Sequence, residues 1–385
     1  MNSNDKKWNV ILAATAIFAA LSVAALSAGL ILRGFSQIES TEATVPAPPA
    51  EHAIMESFDA TINTALADAH AAVRAVSRVF WLEENTIVAP QPNPLCYGQT
   101  NDPASLQWLL DAATEIMAGQ QLVFHPNIEI APDSKITYYL DQSILVITWH
   151  QVLDDYFYTF CEVKITHPSQ FRRYLACNEY NSDYTHPVSK MADMVNAVVA
   201  SSADYYRGRN HGIIVYDGIV YQTEHSDVVD TCFIDKNGDM ILVKAGKLSG
   251  VEETQAYVDE HEIDFSLAFG PILVKDGKRC DPKNYYLGEI NDGYARVALC
   301  QQDKLHYVTV LANSKDSYLK SPTMREFTNH IEALGCQMAY ALDGGHTGTL
   351  TMQGRVLNPL RRSQRWVSDI IYFATAIPSK ETDQP

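Results

Sequence analysis

The sequence is poor in the residues on which several protein classes depend. It has 29 Lys and Arg against 46 Asp and Glu, a formal net charge of −17, so it lacks the basic surface that nucleic-acid binding requires. Seven cysteines and 19 glycines in 385 residues are too few for a disulfide scaffold or a collagen-like repeat. Because 46% of the residues are hydrophobic and only 19% are charged, wholesale disorder is excluded too. The composition indicates a packed globular protein with no nucleic-acid partner.

Motifs for metal and redox chemistry are also missing. The cysteines form no CxxC pair, and the twelve histidines are dispersed with no HExxH motif. We therefore expect no catalytic metal and no cofactor. The odd number of cysteines leaves at least one without a partner in the chain, and we assign them no chemistry, because scattered cysteines on apolar stretches are commonly small buried hydrophobes.

One long uncharged run lies near the start of the chain, from Trp8 to Leu32. It exceeds the roughly 20 residues that cross a hydrocarbon core and predicts an uncleaved signal-anchor, with a cleaved signal peptide as the alternative. Lys6 and Lys7 lie on its short side, which the positive-inside rule places in the cytoplasm. We predict a single-pass protein of the cell membrane, with residues 1–33 as cytoplasmic tail and transmembrane helix and the remainder extracellular.

Residues 34–90 are predicted to be a Pro-rich tether followed by a helical stalk. The segment TEATVPAPPA is typical of a semi-extended linker. Apolar residues spaced by four and three between Ile62 and Phe80 predict a helix over 51–84. Two interpretations of this helix stay open: it packs on its own domain, or it forms a short coiled coil that makes a homo-oligomer.

Residues 91–380 have the pattern of a sheet-rich extracellular domain. Short β-branched and aromatic runs flank four turn dipeptides, which predict hairpins. These dipeptides are Asp217-Gly218, Asn237-Gly238, Asp276-Gly277 and Gln353-Gly354. A helix predicted to begin at Ser321-Pro322 and to end at Gly335 leads directly into the strand QMAYAL. We predict an α+β fold, with a mostly antiparallel or mixed sheet and packed helices, preceded by the transmembrane helix and the stalk.

Three polar features interrupt the apolar strands of the last hundred residues. They are Arg296 in GYARVALC, the loop LDGGHTGTL at 342–350, and SQRWVSD ending at Asp369. Each has a structural explanation in an ion pair or a turn, and each is also a candidate for a site. Arg355, Arg361, Arg362 and Arg365 form the one dense basic stretch, which is either a cationic rim that attracts a polyanion or a solvated loop.

From about His150 to Pro378 the chain resembles the phosphodiester glycosidase family. The matching segments, in the order the family has them, are ASSADYY at 200–206, GIIVYDGIVY at 212–221, FGPILVKDGK at 269–278, Arg296 with Ala298, Thr323 before a helix ending in LGC, the loop Leu342 to Gly345, and Arg365 with Asp369. Three positions depart from the common pattern: Ser202-Ala203 replaces Asn-Gly, Cys300 replaces Gly, and His346-Thr347-Gly348 replaces Gly-Ser-Ser.

The resemblance implies hydrolysis of a sugar-1-phosphodiester, which frees the sugar and leaves a phosphate monoester. Glycosidases typically use two carboxylates, and we assign them to Asp343 and Asp204, with Arg296 binding the phosphate. The predicted substrate-binding residues are Ser202, Tyr206, Gly270, Thr323, Gly344, Gly345, His346, Thr347, Arg365 and Asp369. The alternative function is a non-catalytic surface module that binds or helps assemble a phosphate-containing polysaccharide.

Overall fold

The computed structural model describes residues 87–100, 109–111, 113, 136–282, 285–286, 288–312, 321–360 and 362–377. All of them belong to the unit Phe80–Pro385. The predicted transmembrane segment and the predicted 51–84 helix lie outside the described residues. Within the described ranges, no helix combines the length and the apolar character needed to cross a membrane.

β-strands make up most of the described domain. In spatial order, a nine-stranded sheet holds β1 (Tyr97–Thr100), β2 (Ile136–Leu140), β3 (Ile144–Leu153), β4 (Tyr156–Ile165), β16 (His306–Ala312), β15 (Arg296–Asp303), β17 (Met338–Leu342), β13 (Ile272–Lys275) and β14 (Lys278–Arg279). A five-stranded sheet holds β19 (Arg355–Val356), β18 (Leu350–Met352), β7 (Val199–Ser202), β21 (Asp369–Phe373) and β5 (Phe171–Leu175). A three-stranded sheet holds β11 (Met240–Val243), β10 (Thr231–Asp235) and β12 (Ile263–Leu267). Two strand pairs complete the set: β20 (Trp366–Val367) with β6 (His186–Pro187), and β8 (Ile214–Tyr216) with β9 (Ile219–Gln222).

Helices are few in the described part of the chain. They include α1 (Val188–Met194), α2 (Tyr206–Arg209), α3 (Val251–Glu260) and α4 (Met324–Ala333), with short 3-10 turns at Pro94–Cys96, Pro168–Gln170, Ala176–Asn178 and Gly288–Asn291. Residues 109–111 and 113 are also helical. Neighbouring strands run antiparallel, as in the pairs of β15 with β16 and with β17. The predicted sheet-rich α+β fold with mostly antiparallel pairing is confirmed for these residues.

All four predicted hairpin turns are present. Asp217 and Gly218 both have positive φ, at 51° and 73°, and the same holds for Asp276-Gly277 and Gln353-Gly354. Two successive positive φ values give the turn a twist that matches the strands on either side, which is why Gly at the second position predicts such hairpins. At Asn237-Gly238 only Gly238 has a positive φ, 82°.

The start of α4 differs from the prediction. The helix begins at Met324, because Thr323 is its N-cap and not a residue inside it. The Thr323 hydroxyl accepts a hydrogen bond from the Glu326 backbone N–H at 3.3 Å, and the Glu326 carboxylate accepts from the Thr323 N–H at 2.8 Å. This capping box satisfies two N–H groups that a helix start would otherwise leave unpaired. Pro322 therefore precedes the helix.

Apolar side chains cover both faces of the nine-stranded sheet. On β15, Ala298 and Cys300 face the cluster that includes Phe327 and Ile331 of α4. Val297 and Leu299 face the opposite cluster, which includes side chains of the five-stranded and three-stranded sheets. Because successive strand residues point to opposite faces, a strand buried on both sides is apolar at nearly every position. The seven cysteines are all free.

Candidate active site

Asp343 and Arg296 lie at one edge of the nine-stranded sheet. Val297 of β15 pairs with Leu342 of β17 in antiparallel register, so the residue before Val297 and the residue after Leu342 are neighbours across the two strands. The Asp343 N–H donates to the Ala203 carbonyl at 3.1 Å, which ties this edge to the end of β7. Residues distant in sequence thus meet where strands end and loops begin.

The glycine loop after β17 packs closely on the start of β15. A Cβ on Gly344 would collide with the carbonyl oxygen of Ala295, so this position requires glycine. Gly345 has a positive φ of 59° and donates its N–H to the same Ala295 carbonyl at 2.8 Å. The loop is therefore held against β15, and its side chains border the space above the sheet edge.

Two adjoining cavities occupy that space. The inner cavity has a volume of about 240 Å³, and its walls include Arg209, Phe269, Glu289, Tyr294, Ala295, Arg296, Val297, Met324, Leu342, Asp343, Gly344, Gly345, His346 and Arg365. The outer cavity, of about 910 Å³, shares Tyr294, Ala295, Gly345, His346 and Arg365 with it, and adds Gly293, Ser321, Pro359, Leu360, Arg362, Ser363, Gln364 and Trp366. Asp343 lines only the inner cavity.

The Asp343 carboxyl has a strongly shifted pKa. Burial raises the pKa to about 7, against the opposing effects of a hydrogen bond from Thr347 and the charge of Arg209. The negative charge of Asp204 adds to the rise, and Arg365 opposes it. A carboxyl that titrates near neutral pH inside a cavity is suited to proton transfer or nucleophilic attack.

Arg296 lines the inner cavity, but its guanidinium donates hydrogen bonds to backbone carbonyl oxygens of the protein. Its Nη2 donates to the carbonyl oxygens of Glu289 and Asp292 at 2.6 and 2.8 Å, and its Nε donates to the Pro322 carbonyl at 3.4 Å. Burial lowers its pKa to about 10, so it is still cationic at neutral pH. A bidentate contact of Arg296 with the phosphate would need nitrogens that already donate to these carbonyls. Arg296 lines the inner cavity as a charge with limited capacity for further bonds.

Arg209, at the end of α2, is a cation that the sequence analysis missed. Its guanidinium lies 4.3 Å from the centre of the Phe269 ring, and both residues line the inner cavity. The buried Nη1 atom has no hydrogen-bond partner in the described part of the chain. A buried donor without a partner is rare in proteins and indicates capacity for an anionic ligand at this place.

Asp204 and Asp369 share one buried arginine, Arg173 of β5. Its Nη2 lies 2.7 Å from Asp369 Oδ2 and 3.5 Å from Asp204 Oδ2, and no side chain in this cluster is more than 1% exposed. Asp204 Oδ2 also accepts from the Ala268 N–H at 2.7 Å. These contacts join β5 and β21 to the residues just after β7 and β12, and neither Asp204 nor Asp369 is among the residues that line the inner cavity. The assignments of Asp204 to catalysis and Asp369 to substrate contact stay predictions that this packing does not favour.

The region that contains both cavities matches a known protein family. Residues 194–374 match the family model of the phosphodiester glycosidases. The resemblance to this family is confirmed over that range. The match favours a glycosidase-type hydrolase domain over this range. It covers Arg209, Arg296, Asp343 and Arg365, and leaves Arg173 outside.

Other comparisons are more distant. No curated protein matches the chain. Among solved structures, a protein of Synechocystis described as hypothetical is 12% identical with a TM-score of 0.48, over 62% of this chain and 63% of its own. The zebrafish N-acetylglucosamine-1-phosphodiester alpha-N-acetylglucosaminidase catalytic domain, auto-inhibited by its pro-peptide, is 13% identical with a TM-score of 0.47, over 65% of this chain and 85% of its own. The chain thus spans less than two thirds of the Synechocystis protein.

Within residues 194–374, the predicted substrate-binding residues fall into two groups. Gly344, Gly345, His346 and Arg365 line the inner cavity. The others make internal contacts: Ser202 Oγ accepts from the Thr349 N–H at 3.2 Å, Tyr206 stacks on Tyr180 at 5.4 Å, Gly270 packs against Tyr285, Thr323 caps α4, and the Thr347 hydroxyl donates to the Gly344 carbonyl. Arg365 directly precedes the strand β20, and Asp369 begins the strand β21.

Two further residues on the cavity walls, Glu289 and Trp366, were not predicted from sequence. Glu289 is a second acidic residue among those that line the inner cavity. Its neighbour Gly288 begins a short 3-10 turn that Arg296 holds through the Glu289 carbonyl. Trp366 stands on the outer wall. The sequence feature that could have indicated two of the missed residues is their nearness to predicted motifs. Trp366 directly follows Arg365, and Arg209 lies three residues after the ASSADYY motif. Among the described residues, no group of three or more His, Cys, Asp or Glu is placed to hold a metal ion.

Proposed function

We propose that the domain hydrolyses a sugar-1-phosphodiester at the bond between C1 of the sugar and the phosphate oxygen. The observation that carries this proposal is Asp343, a carboxyl with a pKa of about 7, in a small cavity that three arginines also line. A carboxylate beside cations suits a substrate that has an electrophilic anomeric carbon next to a phosphate anion.

The carboxylates and arginines on the cavity wall have different roles in the proposed hydrolysis. The ionised Asp343 carboxylate takes a proton from the water that attacks C1, or it attacks C1 itself and water then hydrolyses the resulting glycosyl ester, which frees the sugar and restores the carboxylate. The C1–O bond breaks, and its electron pair stays on the phosphate, which leaves as a monoester. Because a phosphate leaving group is weakly basic, charge stabilisation matters more than proton donation, and Arg209 and Arg365 supply it. Glu289 is the second carboxylate on the cavity wall, in place of the predicted Asp204.

The decisive experiment identifies the bond that breaks. The described domain, expressed from Phe80 onward, is incubated with sugar-1-phosphodiesters in water enriched in oxygen-18, and both products are analysed by mass spectrometry. Release of a phosphate monoester without label supports the proposal, since water has then attacked carbon and the C1–O bond has broken. Label in the phosphate means attack at phosphorus and replaces the glycosidase assignment with a phosphodiesterase. Binding without any release of sugar favours the non-catalytic surface module.

Arg209 gives a test of phosphate binding with a matched control on the same helix. Arg209→Gln is expected to raise KM and to lower kcat/KM by about 100-fold, since it removes a charge-assisted contact to the phosphate. Arg207→Gln removes an exposed arginine, whose ion pair with Asp183 spans 3.4 Å, and should change kcat/KM by less than twofold. Equal effects of the two substitutions on steady-state kinetics would remove Arg209 from the site.

The pH dependence follows from the Asp343 pKa. The reaction requires ionised Asp343, so kcat/KM should rise as pH is raised through about 7 and level off above pH 8. The phosphodiester stays anionic throughout this range and adds no titration of its own. Initial rates measured from pH 5 to pH 9 test this. A decrease of kcat/KM across the same interval would mean that the protonated carboxyl is the active form.

We also propose that the hydrolase is anchored in the cell membrane and faces outward. Support comes from the run Trp8–Leu32 and from Lys6 and Lys7 before it. A sugar-phosphate glycan outside the cell would then be the substrate. Alkaline carbonate extraction of membranes that carry the full chain, followed by protease treatment of intact cells, tests both parts. Release by carbonate would remove the anchor, and protection of the domain from protease would reverse the orientation.

A further inference from the structure

The outer cavity is too large and too specifically lined to be only an entrance. Its volume of about 910 Å³ falls in the range of pockets that hold a complete small ligand, whereas the inner cavity of about 240 Å³ corresponds to about eight water volumes, or one sugar ring. The two share Gly345, His346 and Arg365 as a common wall. A phosphodiester with its sugar beside Asp343 and its phosphate at Arg365 therefore extends its other ester arm into the outer cavity.

Two aromatic side chains present surface to this cavity. Trp366 is 61% exposed and Tyr294 is 47% exposed, and both line it. The Trp366 backbone is held, since β20 pairs with β6 and the indole ring lies 5.9 Å from the His186 ring. A large aromatic ring kept in solvent on a cavity wall is an unfavourable arrangement that binding would relieve. The flat face of an indole complements the C–H face of a pyranose ring.

The charge on the outer wall is opposite to that of the whole protein. Arg362, Arg365 and His346 line the cavity, and its lining residues in the described ranges include no Asp or Glu. The chain as a whole has 46 acidic and 29 basic residues. A local absence of carboxylates in so acidic a protein focuses positive potential on the cavity. Arg365 faces both cavities, which leaves Arg362 for an anion beyond the phosphate that is cleaved.

Hydrogen bonds at both ends hold the segment 358–364, which forms part of the outer cavity wall. The Gln364 amide accepts from the Ser189 N–H at 3.1 Å and donates to the Ser189 hydroxyl at 2.9 Å, which ties the segment to the start of α1. At the other end, Asn358 accepts from the Leu350 N–H at 2.7 Å and donates to the Gly348 carbonyl at 2.9 Å. Binding at a braced wall loses little conformational entropy, which favours a preformed subsite.

We propose that the outer cavity is a subsite for the leaving group, in which Trp366 stacks on a second sugar ring and Arg362 binds a second anionic group on that sugar. The substrate class is then a glycan whose sugars are joined by a phosphodiester and carry further negative charge. This inference rests on the proposed hydrolysis, because it assigns the phosphate arm that the reaction releases.

The test compares three substrates that share the sugar-1-phosphate. In the first the phosphate is esterified to methanol, in the second to a neutral sugar, and in the third to a sugar that carries one more phosphate. Kinetic constants are measured for the parent, Trp366→Ala and Arg362→Gln. Tyr184→Ala, an exposed tyrosine outside both cavities, and Arg355→Gln, an exposed arginine of the same basic stretch, are the matched controls.

The readout is the ratio of kcat/KM between substrates. For the parent, kcat/KM should rise from the first substrate to the third. Trp366→Ala should lower the ratio of the second to the first about tenfold, and Arg362→Gln should lower the ratio of the third to the second about tenfold, while both control variants keep the parent ratios. Unchanged ratios in Trp366→Ala and Arg362→Gln overturn the subsite but leave the hydrolysis intact. If the parent cleaves none of the three substrates, the proposed function itself fails.

Discussion

Asp343→Asn is expected to abolish sugar release, with kcat reduced by about 1,000-fold or more. The amide keeps the size of the carboxyl but can neither attack C1 nor accept a proton from water. Since Arg209 and Arg365 remain in place, the binding of a sugar-1-phosphodiester should persist. Single-turnover kinetics and equilibrium binding on the same variant separate these two effects. Turnover within tenfold of the parent would mean that Asp343 only caps its glycine turn.

The same substitution is expected to make the fold more stable at high pH. The pKa of Asp343 in the folded protein, about 7, lies above the ordinary value of 3.8, so the folded state binds the proton more tightly than the unfolded chain. Stability is therefore lost as pH rises from about 4 to 7, and the full penalty applies above pH 7. Asn cannot ionise, so Asp343→Asn should add on the order of 4 kcal/mol at pH 8 and nothing below pH 4.

The control for this pair of measurements is Asp217→Asn. Burial raises the pKa of Asp217 too, but the residue occupies the turn between β8 and β9, away from both cavities. Asp217→Asn should leave kcat unchanged.

Two further variants identify the second catalytic carboxylate. The proposal expects Glu289→Gln to lower kcat by at least 100-fold at unchanged stability. If Asp204→Asn alone has that effect, the pair predicted from sequence is the correct one.

Arg173→Met is expected to produce the largest loss of stability, about 3 to 5 kcal/mol of unfolding free energy. The substitution leaves Asp204 and Asp369 buried without their shared cation, whose Nε donates to Asp369 Oδ2 at 2.8 Å. The Arg173 guanidinium also donates to the Ser266 carbonyl, which would lose a partner. Denaturant unfolding of the parent and the variant at pH 7 measures the difference.

A double substitution separates lost packing from uncompensated charge. Arg173→Met combined with Asp369→Asn removes one of the stranded carboxylates, so it should be more stable than Arg173→Met alone. Arg207→Gln, at an exposed arginine, should change stability by less than 1 kcal/mol. If Arg173→Met were equally mild, the buried cluster would not hold β5, β21 and the residues just after β7 and β12 together as the contacts indicate.

Local features of this protein were determined by the sequence itself. The dipeptide Asp217-Gly218 predicts its hairpin because a positive φ is tolerated at few residue types, and this preference acts within four residues. Gly335 ends α4 for the same reason, with a φ of 71°. The family motifs contain Asp343, His346 and Arg365 in two short continuous segments, the loop after β17 and the residues before β20, and all three residues line the inner cavity.

Only the tertiary structure decided which charges face the cavity and which are buried in pairs. Asp204 and Asp343 both follow apolar strands and look alike in sequence, yet Arg173 from β5 pairs with Asp204 and leaves Asp343 at the cavity. Arg209 and Glu289 enter the cavity from segments separated by some eighty residues, as their positions show. Whether a charge is paired depends on strands that are distant in sequence and meet in the fold. Burial makes an unpaired charge costly and its pairing favourable, and burial cannot be read from the residues on either side of the charge.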